Sequence, residues 1–312
     1  MKICFIGACG HTKRAYQYLS GREDAILCGF APWDEREGRE ESFAADVPFF
    51  ADARRMLDEV QPDLAVVSPI FGQTAAVIEE CAARGIDVFS EKPVATTLAD
   101  LDRVERLVRE SGIRFCAMHY LRYAPAFWHA ARMIRQGAIG EVRMVTAQKS
   151  YRFGNRPAWY WDRELYGGTI PWVGIHAIDW IYHLSGKSFV SVRGQSLGSP
   201  ERAAICQFEL EGGIPASMNL DFYRPAMAPT HDDDRARVVG DKGVLEVREK
   251  QILLINGEGT QTLTPTEAPE LLEEFLAGGG IGAEELFYLT RVALLAREAA
   301  DTGETVRIGG RK

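Results

Sequence analysis

Apolar residues early in the chain fall in short unbroken runs, and the stretches between the runs carry apolar residues at helical spacing. Residues 3–6 are the first run, and Ala15, Tyr16 and Leu19 then recur on one helical face. Residues 25–31 form a second run, ended by Pro32. Asp52 is placed to cap a helix carrying Met56, Leu57 and Val60. Residues 64–67 read as a third strand, and Ala75, Val77, Ile78 and Ala82 as a helix closed by Gly85. A strand over 86–89 follows. Thr97 caps a helix with Leu98, Leu101, Val104, Leu107 and Val108 on one side, and residues 113–118 close the series. Strand and helix alternate throughout, and strands apolar along their whole length suit a parallel sheet covered on both faces.

The pattern then changes. Pro125 opens a helix that ends near Gly137, and beyond Glu141 the strands alternate. Cys206, Phe208 and Leu210 point one way, with Gln207 and Glu209 the other. Met218, Leu220 and Phe222 alternate with Ser217, Asn219 and Asp221. This is the signature of an antiparallel sheet with one covered face. Short strands at 238–239, 244–247 and 252–255 follow, then helices at 267–276 and 284–300. The fold class expected is α/β: a doubly wound parallel sheet over residues 1–118, and an α+β domain with a large open, mostly antiparallel sheet over 119–312.

Composition narrows the class. The 312 residues carry 36 Lys and Arg against 44 Asp and Glu, a formal charge of −8 that does not suit a coat for nucleic acid or anionic membrane. The most apolar stretch, 168–184, contains His176, Asp179 and His183 and reads as a buried helix rather than a membrane span. The six cysteines, at 4, 9, 28, 81, 116 and 206, include no CxxC pair. They read as buried thiols in a reducing compartment. With the first strand beginning at residue 3 and leaving no room for a signal peptide, a cytoplasmic location is expected.

Five segments carry candidate chemistry. Gly7-Ala8-Cys9-Gly10-His11-Thr12 joins the first strand to the first helix, where backbone N–H groups and a helix N-terminus favour a pyrophosphate. A strict GxGxxG would need glycine at 9 and 12, where Cys9 and Thr12 stand, so a plain tight turn is the alternative; Gly10 restores some flexibility. The second strand ends without the acid that normally holds the NAD ribose. The first acid is Asp34, with Arg36 and Arg39 beyond, which permits either NADP or an ordinary solvated loop. Glu91-Lys92-Pro93 follows a strand at its carboxyl end, the ligand-facing end of such sheets. Gly167-Gly168 leads through Trp172 to His176, a candidate acid/base. Trp172, His176, Asp179 and His183 would form one helical stripe, for which a metal site is the weaker reading and hydrogen-bonded core histidines, His183 above all, the plainer one. The aromatic stretch from Asn155 to Trp161 either walls a pocket or fills a core.

Together these segments resemble the Gfo/Idh/MocA family (glucose–fructose oxidoreductase and inositol dehydrogenase). The resemblance rests on the glycine loop, Ser68-Pro69, Glu91-Lys92-Pro93, Arg122-Tyr123-Ala124-Pro125, residues 137–141, the stretch from Gly167-Gly168 to His176-Ala177-Ile178-Asp179, and Gly240-Asp241-Lys242-Gly243. It implies an N-terminal Rossmann domain for NAD or NADP, a second domain with a large open sheet, and a homodimer or homotetramer formed through that sheet. It also implies hydride transfer between nicotinamide and a small hydroxylated or carbonyl substrate. Lys92 and His176 take the catalytic positions. Gly7, Cys9, Gly10, His11, Thr12, Ser68, Pro69, Ile70, Glu91 and Lys92 take the cofactor positions. Lys92, Arg122, Tyr160, Trp172 and His176 face the substrate, and no metal is implied. The chain departs from the family at Ile70, Gln73 and Trp172, where asparagine, histidine and aspartate are usual. The departures leave two other readings open: a non-catalytic sensor that binds a dinucleotide or sugar, and a lyase or hydrolase that uses bound NAD transiently. Trp172 in particular predicts poor use of free sugars and inositols, and a preference for a substrate with an apolar or planar portion.

Overall fold

The computed structural model describes residues 1–37 and 46–309. Two compact units divide the chain. The first comprises 1–118, 162–167 and 272–290, and the second 119–161, 168–271 and 291–312.

The first unit is built on β1 (Lys2–Ile6), α1 (Thr12–Leu19), β2 (Ile26–Ala31), α2 (Ala53–Val60), β3 (Leu64–Val67), α3 (Thr74–Ala82), β4 (Asp87–Ser90), α4 (Leu98–Ser111) and β5 (Phe115–Ala117). The strands form one sheet in the order β2-β1-β3-β4-β5, with every pair parallel. A single parallel bridge from Phe49 to Phe30 adds a further rung outside β2. Ile3–Ile6 and Leu64–Val67 are wholly buried, as uniformly apolar strands must be in a two-sided sheet. The helix signals act as the sequence indicates. Asp52 accepts the Arg55 N–H, Thr97 accepts the Asp100 N–H, and Gly112 closes α4 with φ +67°. The order turns at β1, with β2 on one side and β3 on the other, and such a switch point opens a crevice at the carboxyl ends of the strands.

The second unit opens with α5 (Pro125–Arg135), with Pro125 in the first turn, and β6 (Val142–Tyr151). The short α6 (Arg163–Tyr166) belongs to the first unit. After it come α7 (Ile175–Ser185), β7 (Phe189–Leu197), β8 (Ala203–Leu210), β9 (Ile214–Asp221), β10 (Asp232–Gly240), β11 (Gly243–Arg248), β12 (Gln251–Asn256) and β13 (Gly259–Leu263). The chain ends with α8 (Leu271–Leu276), α9 (Ala283–Thr302) and β14 (Thr305–Arg307). Nine strands pair in the order β13-β12-β11-β10-β6-β9-β8-β7-β14, antiparallel except for β6 with β9. Cys206, Phe208 and Leu210 are buried on β8, and Met218 and Leu220 on β9, with α7 packed on β6.

Three local features differ from the sequence reading. The helix expected over 267–276 begins only at Leu271. Strands β7, β13 and β14 were not anticipated; every residue of β13 is exposed, so it has no apolar alternation to reveal it. Residues Ile170–Gly174 form a π turn ahead of α7. That wider turn breaks the stripe expected from Trp172 to His183, and the regular spacing starts only within α7, at His176.

Candidate functional site

In the first unit the carboxyl ends of β1, β3 and β4 converge. Gly7 leaves β1 at φ +73°, and its N–H donates to the Ala31 carbonyl at 2.9 Å. A side chain there would meet the Ser68 carbonyl oxygen and the Pro69 Cα at 2.5–2.6 Å, so both backbone angle and space demand glycine. The Cys9 N–H donates to the Ser68 carbonyl at 2.8 Å and fastens the loop to β3. Gly10 serves differently from the sequence expectation. It lies outside the left-handed region, and what it provides is room, because a Cβ there would collide with the Glu91 carboxylate.

Glu91 has no exposed surface. Its carboxylate accepts the His11 backbone N–H at 2.5 Å and the Lys92 N–H at 2.9 Å, and lies 2.9 Å from His11 Nδ1. Burial alone would raise its pKa; the neighbouring His11 and Lys92 outweigh that and hold it below the ordinary carboxylate range. Lys92 is 2% exposed at the same strand end. Helix α1 has no side-chain cap, and the hydroxyls of Thr12 and Ser68 are buried without a hydrogen-bond partner. An uncapped helix N-terminus with two unsatisfied buried hydroxyls fits a pyrophosphate. The residues present therefore suit NAD or NADP, with Gly7, Cys9, Gly10, His11 and Thr12 around the phosphates.

The loop after β2 turns inward. Ala31 is buried where the ribose-binding acid was sought. The Asp34 carboxylate accepts from Gln73 Nε2 at 2.6 Å and from Arg36 Nε at 2.7 Å. Glu37 accepts the Ile70 and Trp33 N–H groups, each at 2.8 Å. Burial pushes the Glu37 carboxyl up to about 7 in spite of those two bonds. Asp34 and Glu37 are therefore tied to the segment after β3, not members of a freely solvated loop, and Arg36 is engaged by Asp34. Arg39 lies outside the described residues. Ile70 and Gln73, at two of the family's altered positions, are what anchor this loop.

In the second unit a buried network surrounds Asp179. Its carboxylate accepts from Arg122 Nε at 2.8 Å and from Arg122 Nη2, and lies 3.1 Å from His119 Nδ1. Burial opposes its ionisation, but the Arg122 guanidinium and His119 overcome this and hold its pKa well below the usual range. An ionised carboxylate can only accept, so His119 donates through Nδ1–H. The other ring nitrogen, Nε2, is buried without a hydrogen-bond partner. His176, 3% exposed on α7, meets the His119 ring edge to face, with centroids 6.4 Å apart.

Arg122 is thus turned to Asp179. Trp172 is 7% exposed, and its indole adjoins the Tyr151 hydroxyl. Tyr160 is buried and packs on Trp159, with centroids 4.4 Å apart. His183 is a shielded neutral ring whose pKa burial depresses to about 3; its Nε2 makes no hydrogen bond, so the hydrogen-bonded core histidine anticipated there is not what the fold provides. Sequence reading passed over His119, although it follows the strand expected over 113–118 at its carboxyl end, the rule that singled out Lys92.

Residues 1–119 match the family model described as "Oxidoreductase family, NAD-binding Rossmann fold", and residues 127–246 match the GFO/IDH/MocA C-terminal domain. A solved structure from Thermotoga maritima, classed among the oxidoreductases, is 37% identical, with a TM-score of 0.93 over 99% of this chain and 100% of that one. D-apiose dehydrogenase of Paraburkholderia graminis is 23% identical over 272 residues, 84% of this chain and 72% of that protein. The 2,7-anhydro-N-acetylneuraminate hydratase of Mediterraneibacter gnavus is 28% identical over 148 residues, 47% of this chain but only 39% of the hydratase. No described helix is long and apolar enough to cross a membrane.

Proposed function

The chain belongs to the Gfo/Idh/MocA family, and from that premise we propose that it is an NAD(P)-dependent oxidoreductase acting on a small polyhydroxylated or carbonyl compound. The observation that carries the reading is the convergence of Gly7, Ser68, Glu91 and Lys92 at the carboxyl ends of three adjacent parallel strands. Bound NAD(P) supplies the acceptor or donor of the hydride.

Residues 1–118 hold the dinucleotide, and 119–312 the substrate and the subunit contacts. Glu91 fixes the glycine loop through His11 and holds the backbone N–H of Lys92. The Lys92 ammonium donates to the substrate oxygen, and His176 accepts or returns the hydroxyl proton. Asp179 and Arg122 hold His119 against the His176 ring. Trp172 and Tyr160 offer apolar faces to a substrate portion. Exposed Leu197, Ile205 and Ile255 on the large sheet support self-association through it, which light scattering after gel filtration would measure.

The test joins binding to turnover. Calorimetric titration with NADH and NADPH should show saturable binding of at least one, and a panel of sugars, polyols and sugar acids should include one that changes nicotinamide absorbance at 340 nm. No binding of either nucleotide at millimolar concentration would overturn the reading; binding without any turnover would favour the sensor.

A further inference from the structure

The segment that follows β6 gathers three arginines around a box of aromatic rings. The Arg156 guanidinium lies 5.1–5.8 Å from the ring centroids of Tyr160, Phe153, Phe222 and Tyr151. The Arg202 guanidinium stands 4.0 Å from the centroid of the same Phe153 ring. Arg152 donates through Nη2 to the Ala228 carbonyl, and the pKa of His231 is lowered first by burial and further by the charges of Arg156 and Arg152. Among the described residues none of the three forms a salt bridge, and the buried Nε of each lacks a hydrogen-bond partner.

Half-buried arginines are ordinarily paired, because a desolvated guanidinium without an acceptor is costly. Here the acids on neighbouring strands are engaged elsewhere. Asp234 holds Lys149 at 2.7 Å, Asp233 holds Arg235 at 2.6 Å, Asp221 takes the Ser150 hydroxyl and the Tyr223 N–H, Glu201 takes the Thr169 N–H, and the half-exposed Asp232 stands 3.9 Å from the same Lys149. Cation–π contacts orient a guanidinium and satisfy none of its N–H donors. Three guanidinium groups without an ion-pair partner among the described residues, oriented by aromatic faces, offer an anion its counter-charge. The location fits a substrate. Tyr160 belongs to the candidate substrate wall, and Tyr151 adjoins Trp172, four residues before His176.

We propose that Arg156, with Arg202 and Arg152, forms an anion subsite, and that the substrate is a polyhydroxylated compound bearing a carboxylate or phosphate rather than a neutral sugar. The placement beside a substrate rests on the oxidoreductase reading; the anion site itself does not. The planar guanidinium suits bidentate contact with either oxyanion. An anionic anchor also suits a site where Trp172 contributes no charge.

The experiment measures binding apart from turnover. Calorimetric titration of the whole protein with D-gluconate, D-glucose 6-phosphate and D-glucose, with and without saturating NADH, separates carboxylate, phosphate and neutral probes. At least one anionic probe should bind ten times more tightly than glucose, and its affinity should fall at least tenfold in Arg156→Gln and several-fold in Arg202→Gln. Modification of the wild-type protein by phenylglyoxal, mapped by mass spectrometry, should be slowed at Arg156 by that same probe, which keeps the test sharp if the variants fold poorly. Glucose binding as well as both anions, no binding by either anion, or no protection of Arg156 overturns the proposal. Anion binding in a protein that takes neither NADH nor NADPH would leave the subsite standing and sink the oxidoreductase reading.

Discussion

Replacing Asp179 with asparagine should be among the most damaging single changes in the second unit. The carboxylate is fully buried and takes two bonds from Arg122 and one from His119. Asparagine keeps the shape and removes the charge, so the Arg122 guanidinium, 5% exposed, is left without its counter-ion. Breaking a buried ion pair from one side costs about 3–5 kcal/mol. Arg122→Met breaks it from the other side and should cost a similar amount. The double variant Asp179→Asn/Arg122→Met removes both charges, and its cost should fall about 2 kcal/mol or more below the sum of the singles. Urea unfolding followed by tryptophan fluorescence measures this. A Trp33→Phe background makes the signal specific, since Trp128, Trp159, Trp161, Trp172 and Trp180 all lie in the second unit. The depressed pKa of Asp179 adds a pH arm. Its contribution is fully present above the unfolded carboxyl value of about 4 and is lost as pH falls toward the folded value. The asparagine variant should lack that part of the acid-side loss. Additive single costs, or a cost below about 1 kcal/mol for Asp179→Asn, would refute the reasoning.

Gly7→Ala forces a side chain into a left-handed position already closed by Ser68 and Pro69; NADH affinity measured by calorimetry should fall at least about tenfold, with thermal stability lowered. Glu37 has a raised pKa, so its folded form takes up a proton between the unfolded value of about 4.5 and the folded value of about 7. Stability should therefore decline as pH rises through that window, by up to about 3 kcal/mol, and Glu37→Gln should flatten the decline in urea titrations at pH 5, 6, 7 and 8. Lys92→Met should leave NADH binding within a few-fold of wild type while turnover at 340 nm drops by about two orders of magnitude or more; unchanged turnover would remove the proton-donating role given to Lys92.

The fold was legible because burial leaves a different imprint in each unit. Strands covered on both faces, such as Leu64–Val67, are apolar throughout, and β8 alternates because one face is less covered. What could not be read has no local imprint. Strand β13, Gly-Thr-Gln-Thr-Leu, is fully exposed and is specified only by pairing with β12. The strand-end rule found Gly7, Glu91 and Lys92 because each lies next to its own strand in sequence. It could not show that Glu37 reaches Ile70 or that Gln73 reaches Asp34, because those partners lie 33 and 39 residues apart and meet only after the sheet has formed.

Trp172 stands in a different local setting from the residues of α7 around His176. Aspartate is usual four residues before the family histidine, so its absence suggests that His176 has lost its acidic neighbour. The structure provides a buried carboxylate at Asp179, three residues after His176 on α7, and turns it toward His119 and Arg122. A π turn separates Trp172 from the regular part of α7, so the two positions stand in different local geometry. Charge in this part of the molecule is therefore organised around His119. The carboxylate takes a proton-bearing Nδ1, and Nε2 is buried without a hydrogen-bond partner. Substituting aspartate for Trp172 would add a second buried acid near Tyr151, whose phenol burial already keeps neutral.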